Sequence, residues 1–451
     1  MTPSSSVYIL VINWNGREHL EACFKSLVNQ TYSRARFLLL DNGSTDGSQQ
    51  FVRDRFGHDE RVEVLDWGAN LGWSGGNNRG IEAALREGAD YVFLLNNDTA
   101  VAEDAVERLV ATAEAQPDAG AFAPKMVLFN DPGVLNSVGL ACSVIGSCWD
   151  IGLGRIDGEQ WNRTGEIIGV CGGAMFLRRE ALERAGLLPE DYGIYLDDLE
   201  LCLRIWNAGY SIHACPEAVV RHKFSATMGE GAKARWKYYL NTRNRWRLIL
   251  RNFPAAQLPR VLLLAALGEA RACGRAALER EWWRAAAHAR AWGAALAYLP
   301  AALAERRGRR KRGLSTCRFW RLIRRRPLFF PGTVLPEGGW YPIEPVDDEA
   351  VHPMARRASW RFEAGTHHIR HMHPSPRLGA PDITVWRGSE RAGRIYTADG
   401  GITVALERPD TLAFEAERIF TAEETGLPHD CGGWLAWESE PPIHEPPPDS
   451  A

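Results

Sequence analysis

Short apolar runs alternate with stretches of helical spacing over the first ~250 residues of the chain. Strand-like runs occupy positions 7–12, 37–40, 62–65 and 91–95. Between the first two runs, Leu20, Cys23, Phe24 and Leu27 recur at the spacing of one helix face. This alternation predicts repeated βαβ units and therefore an α/β domain built on a largely parallel sheet.

Small polar side chains follow three of these predicted strands. The runs are NWNG at 13–16, DNGSTDGS at 41–48 and NND at 96–98. Ligands of open α/β sheets bind beyond the carboxyl ends of the strands, so the three runs predict one shared site. Taken alone, each run would also suit an ordinary Asx-rich turn.

A glycine- and asparagine-rich stretch, NLGWSGGNNRGI at 70–81, follows the third predicted strand. We predict a long loop that opens a helix, where backbone amides can meet a phosphate group. The stretch lacks the GK[ST] ending of a Walker loop, which excludes that class of nucleotide site.

The pattern changes twice in the second half. Residues 258–300 are rich in Ala, Leu, Arg and Trp and predict helices, and 306–326 hold eleven Lys and Arg residues interleaved with apolar ones. Such a segment suits an anionic membrane surface, and the alternative is a solvated helix pair packed on the first domain. The longest uncharged stretch, 291–304, is too short to span a bilayer.

Four regions follow from these patterns. We expect a catalytic domain at 1–254, basic amphipathic helices at 255–330, a small all-β module at 331–440 and a disordered proline-rich tail at 441–451. The net charge of −3 argues against nucleic acid as the main partner. Nine cysteines without a CxxC pair, and an amino terminus without a basic region, favour a cytosolic protein with reduced thiols.

The ordered motifs VINWNG, DNGSTDGS, NLGWSGGNNRGI and LLNNDT, followed by CGGAMFLRRE and YLDDLELC, resemble glycosyltransferase family 2 with its GT-A fold. The likeness is greatest to the bacterial rhamnosyltransferase-like branch. It implies an inverting enzyme that moves a sugar from a nucleotide-diphosphate donor to a hydroxyl group, and it spans positions 7 to about 250.

The resemblance also implies binding residues. For the nucleotide sugar these are Asn13, Asn15, Asp41, Asn70, Asn77, Asn78, Asp98 and Arg243. Asp98 and His222 would hold Mg²⁺ or Mn²⁺, because a hard cation on carboxylate oxygen neutralises the departing diphosphate. On residue grounds alone, the histidine would more often be structural and the arginine would suit a solvated helix face.

Asp198 matches the family's catalytic base, in a DDLE stretch where the resemblance would place ED-x-D. An inverting displacement needs one carboxylate to take the proton of the attacking hydroxyl. Asp197 and Glu200 stand at the two substituted positions and are the alternative acids. A purely structural reading is that Asp197 and Asp198 cap a helix.

Two other groups of residues could carry chemistry. His367, His371 and His373 would share one strand face, but no cysteine or acid lies close in sequence, so we predict no metal there. In the segment 136–164, Trp149 and Trp161 are expected to stack on acceptor sugars.

The sequence therefore predicts a metal-dependent glycosyltransferase, with dTDP-rhamnose as the leading donor. The expected acceptor is a bacterial surface glycan or lipid-linked saccharide, and the expected location is peripheral, on the cytoplasmic face of the inner membrane. Two rivals are a non-catalytic nucleotide-sugar-binding scaffold and a nucleotidyltransferase. The joint presence of Asp98 and Asp198 favours an enzyme over a scaffold, and no basic triphosphate loop supports the nucleotidyltransferase.

Overall fold

The computed structural model divides into two compact units, one formed by 1–152 and 156–330 and the other by 331–451 with 153–155. It describes the following residues in full, except for the side chains of 232–234: 5–129, 132–155, 157–223, 232–278, 280–314 and 317–324. Beyond position 324 it describes the backbone of strands between 344 and 440.

The first unit is built on one mixed sheet. Its strands are β1 (Val7–Asn13), β2 (Ala35–Asp41), β3 (Val62–Asp66), β4 (Tyr91–Asn96), β5 (Thr99–Val101), β6 (Ala119–Leu128), β7 (Leu135–Ser137), β10 (Gly165–Glu166), β11 (Ala174–Arg178) and β12 (Ser211–His222), while β8 (Leu140–Cys142) and β9 (Cys148–Asp150) form a separate hairpin. The sheet order is β10-β12-β6-β11-β4-β1-β2-β3, with β5 on β12 and β7 on β6. β3, β2, β1 and β4 are parallel neighbours, and β11 is antiparallel to β4 and β6.

Helices cover both faces of this sheet. Their bounds are α1 (Arg17–Val28), α2 (Ser48–Phe56), α3 (Gly72–Arg86), α4 (Ala105–Ala115), α5 (Arg179–Ala185), α6 (Asp197–Asn207), α7 (Ala232–Asn252), α8 (Leu258–Leu278), α9 (Trp282–Lys311) and α10 (Trp320–Ile323). Side chains of a strand alternate between faces, so Leu10 and Leu38 join the core under α3, α5 and α6, whereas Ile9 and Phe37 join the core under α1, α2 and α4. The four predicted strands and the α/β class are confirmed.

Helix α3 lies unusually close to the sheet, because two glycines face it. A Cβ added at Gly76 would lie 2.4 Å from Cδ1 of Ile12, and one at Gly80 would lie 2.4 Å from Cδ1 of Leu40. The helix begins at Gly72, so the long loop predicted for 70–81 is wrong beyond its first two residues. Helical glycine is costly in isolation, but here tertiary packing overrides that propensity.

Helices α7, α8 and α9 pack together, with α9 against both others. Part of the basic segment serves this packing: Arg309 is buried against Asn252, Arg306 donates to the Leu250 carbonyl and Arg321 pairs with Glu166. These arginines therefore do not form one solvated basic face, and 315–316 and 325–326 lie outside the described residues. Within the described part, no helix is both long enough and apolar enough to cross a bilayer.

The second unit contains two antiparallel sheets. Their strands are β13 (Glu344–Val346), β14 (Glu349–Met354), β15 (Arg357–Phe362), β16 (Gly365–His371), β17 (Ile383–Arg387), β18 (Glu390–Ile395), β19 (Gly401–Leu406), β20 (Asp410–Ala416) and β21 (Gly433–Glu440). The orders are β13-β14-β21-β16-β19 and β15-β20-β17-β18. The accessory module as a domain stays a prediction. The histidines at 367, 371 and 373 and the tail lie outside the described side chains.

Candidate active site

A glycine pair at the start of β11 lies between the end of β4 and the start of α6. The Asn96 N–H donates to the Gly173 carbonyl at 3.0 Å, and a Cβ on Gly173 would lie 3.6 Å from Cε1 of His222. A Cβ on Gly172 would meet the Trp73 ring at 2.9 Å and the Asp198 Cβ at 3.5 Å. Glycine at position 172 is what lets the Trp73 ring approach so closely, and the place where these elements meet is the candidate site.

Asp98 and His222 lie together on one side of the glycine pair. Oδ1 of Asp98 is 3.3 Å from Nε2 of His222, and both side chains are almost nine-tenths buried. Nδ1 of His222 lies 2.7 Å from Oδ1 of Asn136. Because that oxygen can only accept, the ring donates from Nδ1, and in the neutral ring the lone pair of Nε2 faces the Asp98 carboxylate.

This pair fits a divalent cation. In a neutral ring, Nε2 of His222 and Oδ1 of Asp98 would both offer lone pairs across 3.3 Å, and Oδ1 of Asp98 is buried without a hydrogen-bond donor among the described residues. Such an arrangement is stabilised by a positive charge between the two groups. No cluster of three His, Cys, Asp or Glu side chains suited to a metal occurs in the described part of the chain, so among the described residues this pair is the candidate for holding the cation.

Asp198 lies on the other side of the glycine pair. Its Oδ2 accepts a hydrogen bond from the Gly172 N–H at 3.0 Å, and its Oδ1 accepts one from the Leu199 N–H at 2.7 Å. The second bond joins neighbouring residues in the first turn of α6, and the N-cap residue of this helix, Leu196, makes no side-chain cap hydrogen bond. The first bond holds the carboxylate beside the glycines, and burial raises the pKa of Asp198 above its ordinary value.

The backbone just before α6 is strained. Tyr195 and Leu196 have φ of 70° and 63°, the left-handed region that bulky residues rarely adopt. Nδ2 of Asn244 donates to the carbonyls of Tyr192, Ile194 and Tyr195, at 2.9 to 3.0 Å. The buried Asn244 therefore stabilises the turn that aims Asp198.

Arg243 contributes to the same turn. Its Nη2 donates to the Tyr192 carbonyl at 2.6 Å and to the Asp191 carbonyl at 3.1 Å, and burial lowers its pKa. The guanidinium thus positions backbone in this structure. Its predicted contact with a diphosphate stays a prediction, and the solvated-face alternative is wrong.

The two alternative acids have different surroundings. Asp197 is buried, and the Ser74 hydroxyl donates to its Oδ2 at 2.7 Å. Burial, together with the adjacent Asp198 charge, raises its pKa to about 7. Glu200 is wholly buried and pairs with Arg204 and Arg251, so it is a structural ion-pair residue and cannot replace Asp198 as the base.

Hydrogen bonds join the three polar strand ends, as predicted for one shared site. Asn13 accepts from Asn97 at 2.6 Å and donates to Asp41 at 3.3 Å, while Oδ1 of Asn15 accepts from the Thr45 N–H at 2.8 Å. Asp41 also accepts from the Ser44 N–H and is fully buried. In this conformation it organises the loop and leaves no oxygen exposed to a nucleobase, contrary to the expected direct contact.

The asparagines of 70–78 also serve packing. Oδ1 of the exposed Asn70 accepts from Asn42, and the buried Asn78 exchanges two hydrogen bonds with the Leu188 backbone. Asn77 is fully buried and donates to the Trp73 carbonyl. In this structure the expected diphosphate contacts of Asn77 and Asn78 are replaced by contacts within the protein.

Two further polar residues lie near the site and are not among those predicted from the sequence. Asn136 fixes the His222 ring, and Asp150 on β9 has a pKa raised to about 6, first by burial and further by the charge of Asp198. Both belong to the segment 136–164, which was selected for its tryptophans. Trp161 instead packs partly buried against a small apolar cluster, and no spacing along the chain marks Asn136 or Asp150.

Comparison with known proteins supports the family assignment. Residues 8–186 match the family model described as glycosyl transferase family 2. An N-acetylglucosaminyl-diphospho-decaprenol L-rhamnosyltransferase of Mycobacterium tuberculosis is 29% identical over 247 residues, covering 49% of this chain and 76% of the relative. The low-salt glycan biosynthesis hexosyltransferase Agl10 of Haloferax volcanii is 26% identical, covering 53% and 73%.

A solved structure, that of S. aureus TarS 1-349, has a TM-score of 0.44 and 14% identity, covering 77% of this chain and 96% of that one. At this TM-score the likeness carries no weight, and the assignment depends on the sequence matches. Residues 8–186 belong to glycosyltransferase family 2, and the chain is a nucleotide-sugar-dependent glycosyltransferase.

Proposed function

We propose that this enzyme transfers L-rhamnose from dTDP-rhamnose, with inversion, to a hydroxyl of a lipid-linked bacterial saccharide. The supporting observation is that Asp198 lies on one side of the Gly172–Gly173 turn and the Asp98–His222 pair on the other. An acid–base group and a cation site are thereby brought to one turn. The named activity of the M. tuberculosis relative supports the transferred sugar and the acceptor class.

Asp198 would act as the base. As the acceptor oxygen attacks the anomeric carbon, its proton passes to the Asp198 carboxylate, and the bond from that carbon to the diphosphate breaks with both electrons leaving on the diphosphate. A base with a raised pKa takes a proton more effectively near neutral pH. The Gly172 N–H would hold the carboxylate in position during this step.

Asp98 and His222 would hold Mg²⁺ or Mn²⁺, which neutralises the charge that develops on the diphosphate. The hydrogen bond from His222 to Asn136 keeps Nε2 turned towards Asp98. With two protein ligands, the remaining ligands would come from diphosphate oxygens and water. A lipid-linked acceptor also implies that the enzyme works peripherally at a membrane, which we assign to the cytoplasmic face.

A donor panel tests this proposal. The chain is incubated with dTDP-rhamnose, UDP-, GDP- and other dTDP-sugars, with Mg²⁺, Mn²⁺ or EDTA, and a short-chain lipid-diphosphate saccharide as acceptor. We expect nucleoside-diphosphate release to be fastest from dTDP-rhamnose, to need acceptor for full rate and to stop in EDTA. Faster turnover of a UDP- or GDP-sugar would refute the donor, and full activity in EDTA would refute the cation.

A further inference from the structure

The α8–α9 hairpin exposes large apolar side chains on the side away from α7. Leu263 and Leu267 on α8 are 61% and 60% exposed, and Leu296 on α9 is 73% exposed. Leu299 and Leu303 are also exposed, with Trp292 one turn before Leu296. We call these six residues the outer apolar face.

The spacing puts these residues on one surface. Positions 292, 296, 299 and 303 follow the 3-and-4 rhythm of a single helix face, and 263 and 267 are four apart. Contacts of Cys273 with Ala285 and of Glu269 with His288 set α8 and α9 antiparallel. In that register, 267 lies level with about 291 and 263 level with about 295, so the exposed leucines of the two helices lie at similar levels of the hairpin.

The opposite side of the hairpin is fixed to the rest of the enzyme. Glu269 is buried and contacts both His288 and Arg245 of α7, while the Tyr238 hydroxyl lies 2.8 Å from Nε2 of His288. Ala291 and Ala295 are buried on the same side. Rotation of the hairpin to hide its leucines would unpair these buried polar groups, so the outer apolar face stays outward.

The charges around this face have one sign. Exposed basic residues on the two helices include Arg260, Arg271, Arg290, Arg307 and Arg310, and the last two continue the spacing of 296, 299 and 303 along α9. Among the described residues of α8 and α9, no acidic side chain is exposed. Glu281 and Glu305, partly buried, pair with Arg284 and Arg251.

From this composition we infer that the outer apolar face, with its arginine rim, lies in the headgroup layer of an anionic bilayer. Leucine and tryptophan would enter the acyl boundary while the arginines meet lipid phosphates. A second copy of the chain would bring two basic rims together, which like-charge repulsion opposes. The inference deepens the proposed function, because it names the surface that would bring a lipid-linked acceptor to the site.

Vesicle cosedimentation of the full chain tests this inference. Two double variants remove one feature each: Leu267→Glu with Leu296→Glu, and Arg307→Glu with Arg310→Glu. A matched control, Arg34→Glu with Arg86→Glu, makes the same charge change on exposed arginines of the catalytic domain. We expect both test variants to bind vesicles containing phosphatidylglycerol at least tenfold more weakly, the control to stay within twofold, and the wild type to bind neutral vesicles poorly.

Transferase activity is measured separately from vesicle binding. Nucleoside-diphosphate release with a water-soluble acceptor should be unchanged in both test variants, because their side chains lie outside the site. Absence of release in the wild type would refute the proposed function and leave the vesicle result standing. Unchanged vesicle binding of the test variants would overturn the inference. It would also be overturned if the wild type formed a dimer that does not bind vesicles and that dissociates in the variant Leu267→Glu with Leu296→Glu.

Discussion

Replacement of Glu200 by Gln should destabilise the fold severely. Glu200 has no exposed surface, and its carboxylate lies 2.7 Å from Nε of Arg204 and 3.2 Å from both Nε of Arg251 and Nδ2 of Asn252. Gln keeps the shape but removes the negative charge, leaving the buried Arg204 guanidinium without its counter-charge, while Arg251 keeps Glu305 and Asp191 as partners. Breaking a buried ion pair from one side costs about 3–5 kcal/mol, so we expect a loss of that order.

Urea unfolding measures this loss. The midpoint of Glu200→Gln should fall while the slope stays constant, since the surface exposed on unfolding is unchanged. Glu63→Gln is the matched control, because Glu63 pairs with Arg36 at 3.0 Å but both side chains are about two-fifths exposed. That substitution should cost at most about 1 kcal/mol.

The stability that Glu200 contributes should depend on pH in a definite direction. Burial would raise the pKa of Glu200, but Arg204 and Arg251 outweigh it and hold the pKa below its ordinary value. The ion pair therefore stabilises the protein above the unfolded-state pKa of about 4.3 and stops doing so as the pH falls through the folded value. The stability gap between wild type and Glu200→Gln should narrow in acid. A variant that unfolds like wild type yet loses transfer would refute the structural assignment.

Three further outcomes are expected. Asn136→Ala should weaken Mn²⁺ affinity, measured by calorimetry, about 10- to 100-fold by releasing the His222 ring, and unchanged affinity would contradict its role. Gly80→Ala should lower the unfolding free energy by about 1–3 kcal/mol, because the added Cβ would lie 2.4 Å from Cδ1 of Leu40 in the sheet. An unchanged unfolding free energy would show that α3 can shift away from the sheet. Asp197→Asn should leave the acid limb of the transfer rate in place, because the charge of Asp198 helps to raise the pKa of Asp197, so Asp198 ionises first while Asp197 is still neutral; a limb that moves would contradict this order.

The raised pKa of Asp197 also affects stability. Its folded value of about 7 exceeds the ordinary value, so the native state binds this proton more tightly than the unfolded chain does. Stability should therefore fall as the pH rises from about 4 to 7, and Asp197→Asn should remove that part of the decline. This dependence is opposite in sign to that of Glu200, so the two carboxylates can be separated by thermal unfolding across pH.

The sequence predicts the sheet because β1, β2 and β4 are apolar runs buried on both faces. Tyr91–Asn96 and Ala35–Asp41 agree with the apolar runs within about two residues at either end. The motif order also identifies the family, and the meeting of the three strand ends follows from parallel pairing. These are local or nearest-neighbour properties, which periodicity and strand-end chemistry encode directly.

Contacts between distant segments could not be predicted in the same way. The start of α3 is full of glycine and looks like a loop, but Gly76 and Gly80 are there because the sheet is so near. Glu200 resembles a catalytic acid in sequence, yet Arg251 from α7 engages its carboxylate. Asn136 reaches His222 across 86 positions, a distance over which no spacing rule operates.

The transfer rate of Asp198→Asn tests the central claim most directly. It is measured at saturating donor and acceptor with Mn²⁺, with calorimetric donor affinity on the same preparation. Asparagine keeps the shape and can still accept from the Gly172 N–H, but it cannot take a proton. We predict that transfer falls roughly 10²-fold or more while donor affinity changes only a few-fold. A transfer rate equal to that of the wild type would contradict the assignment of Asp198 as the base.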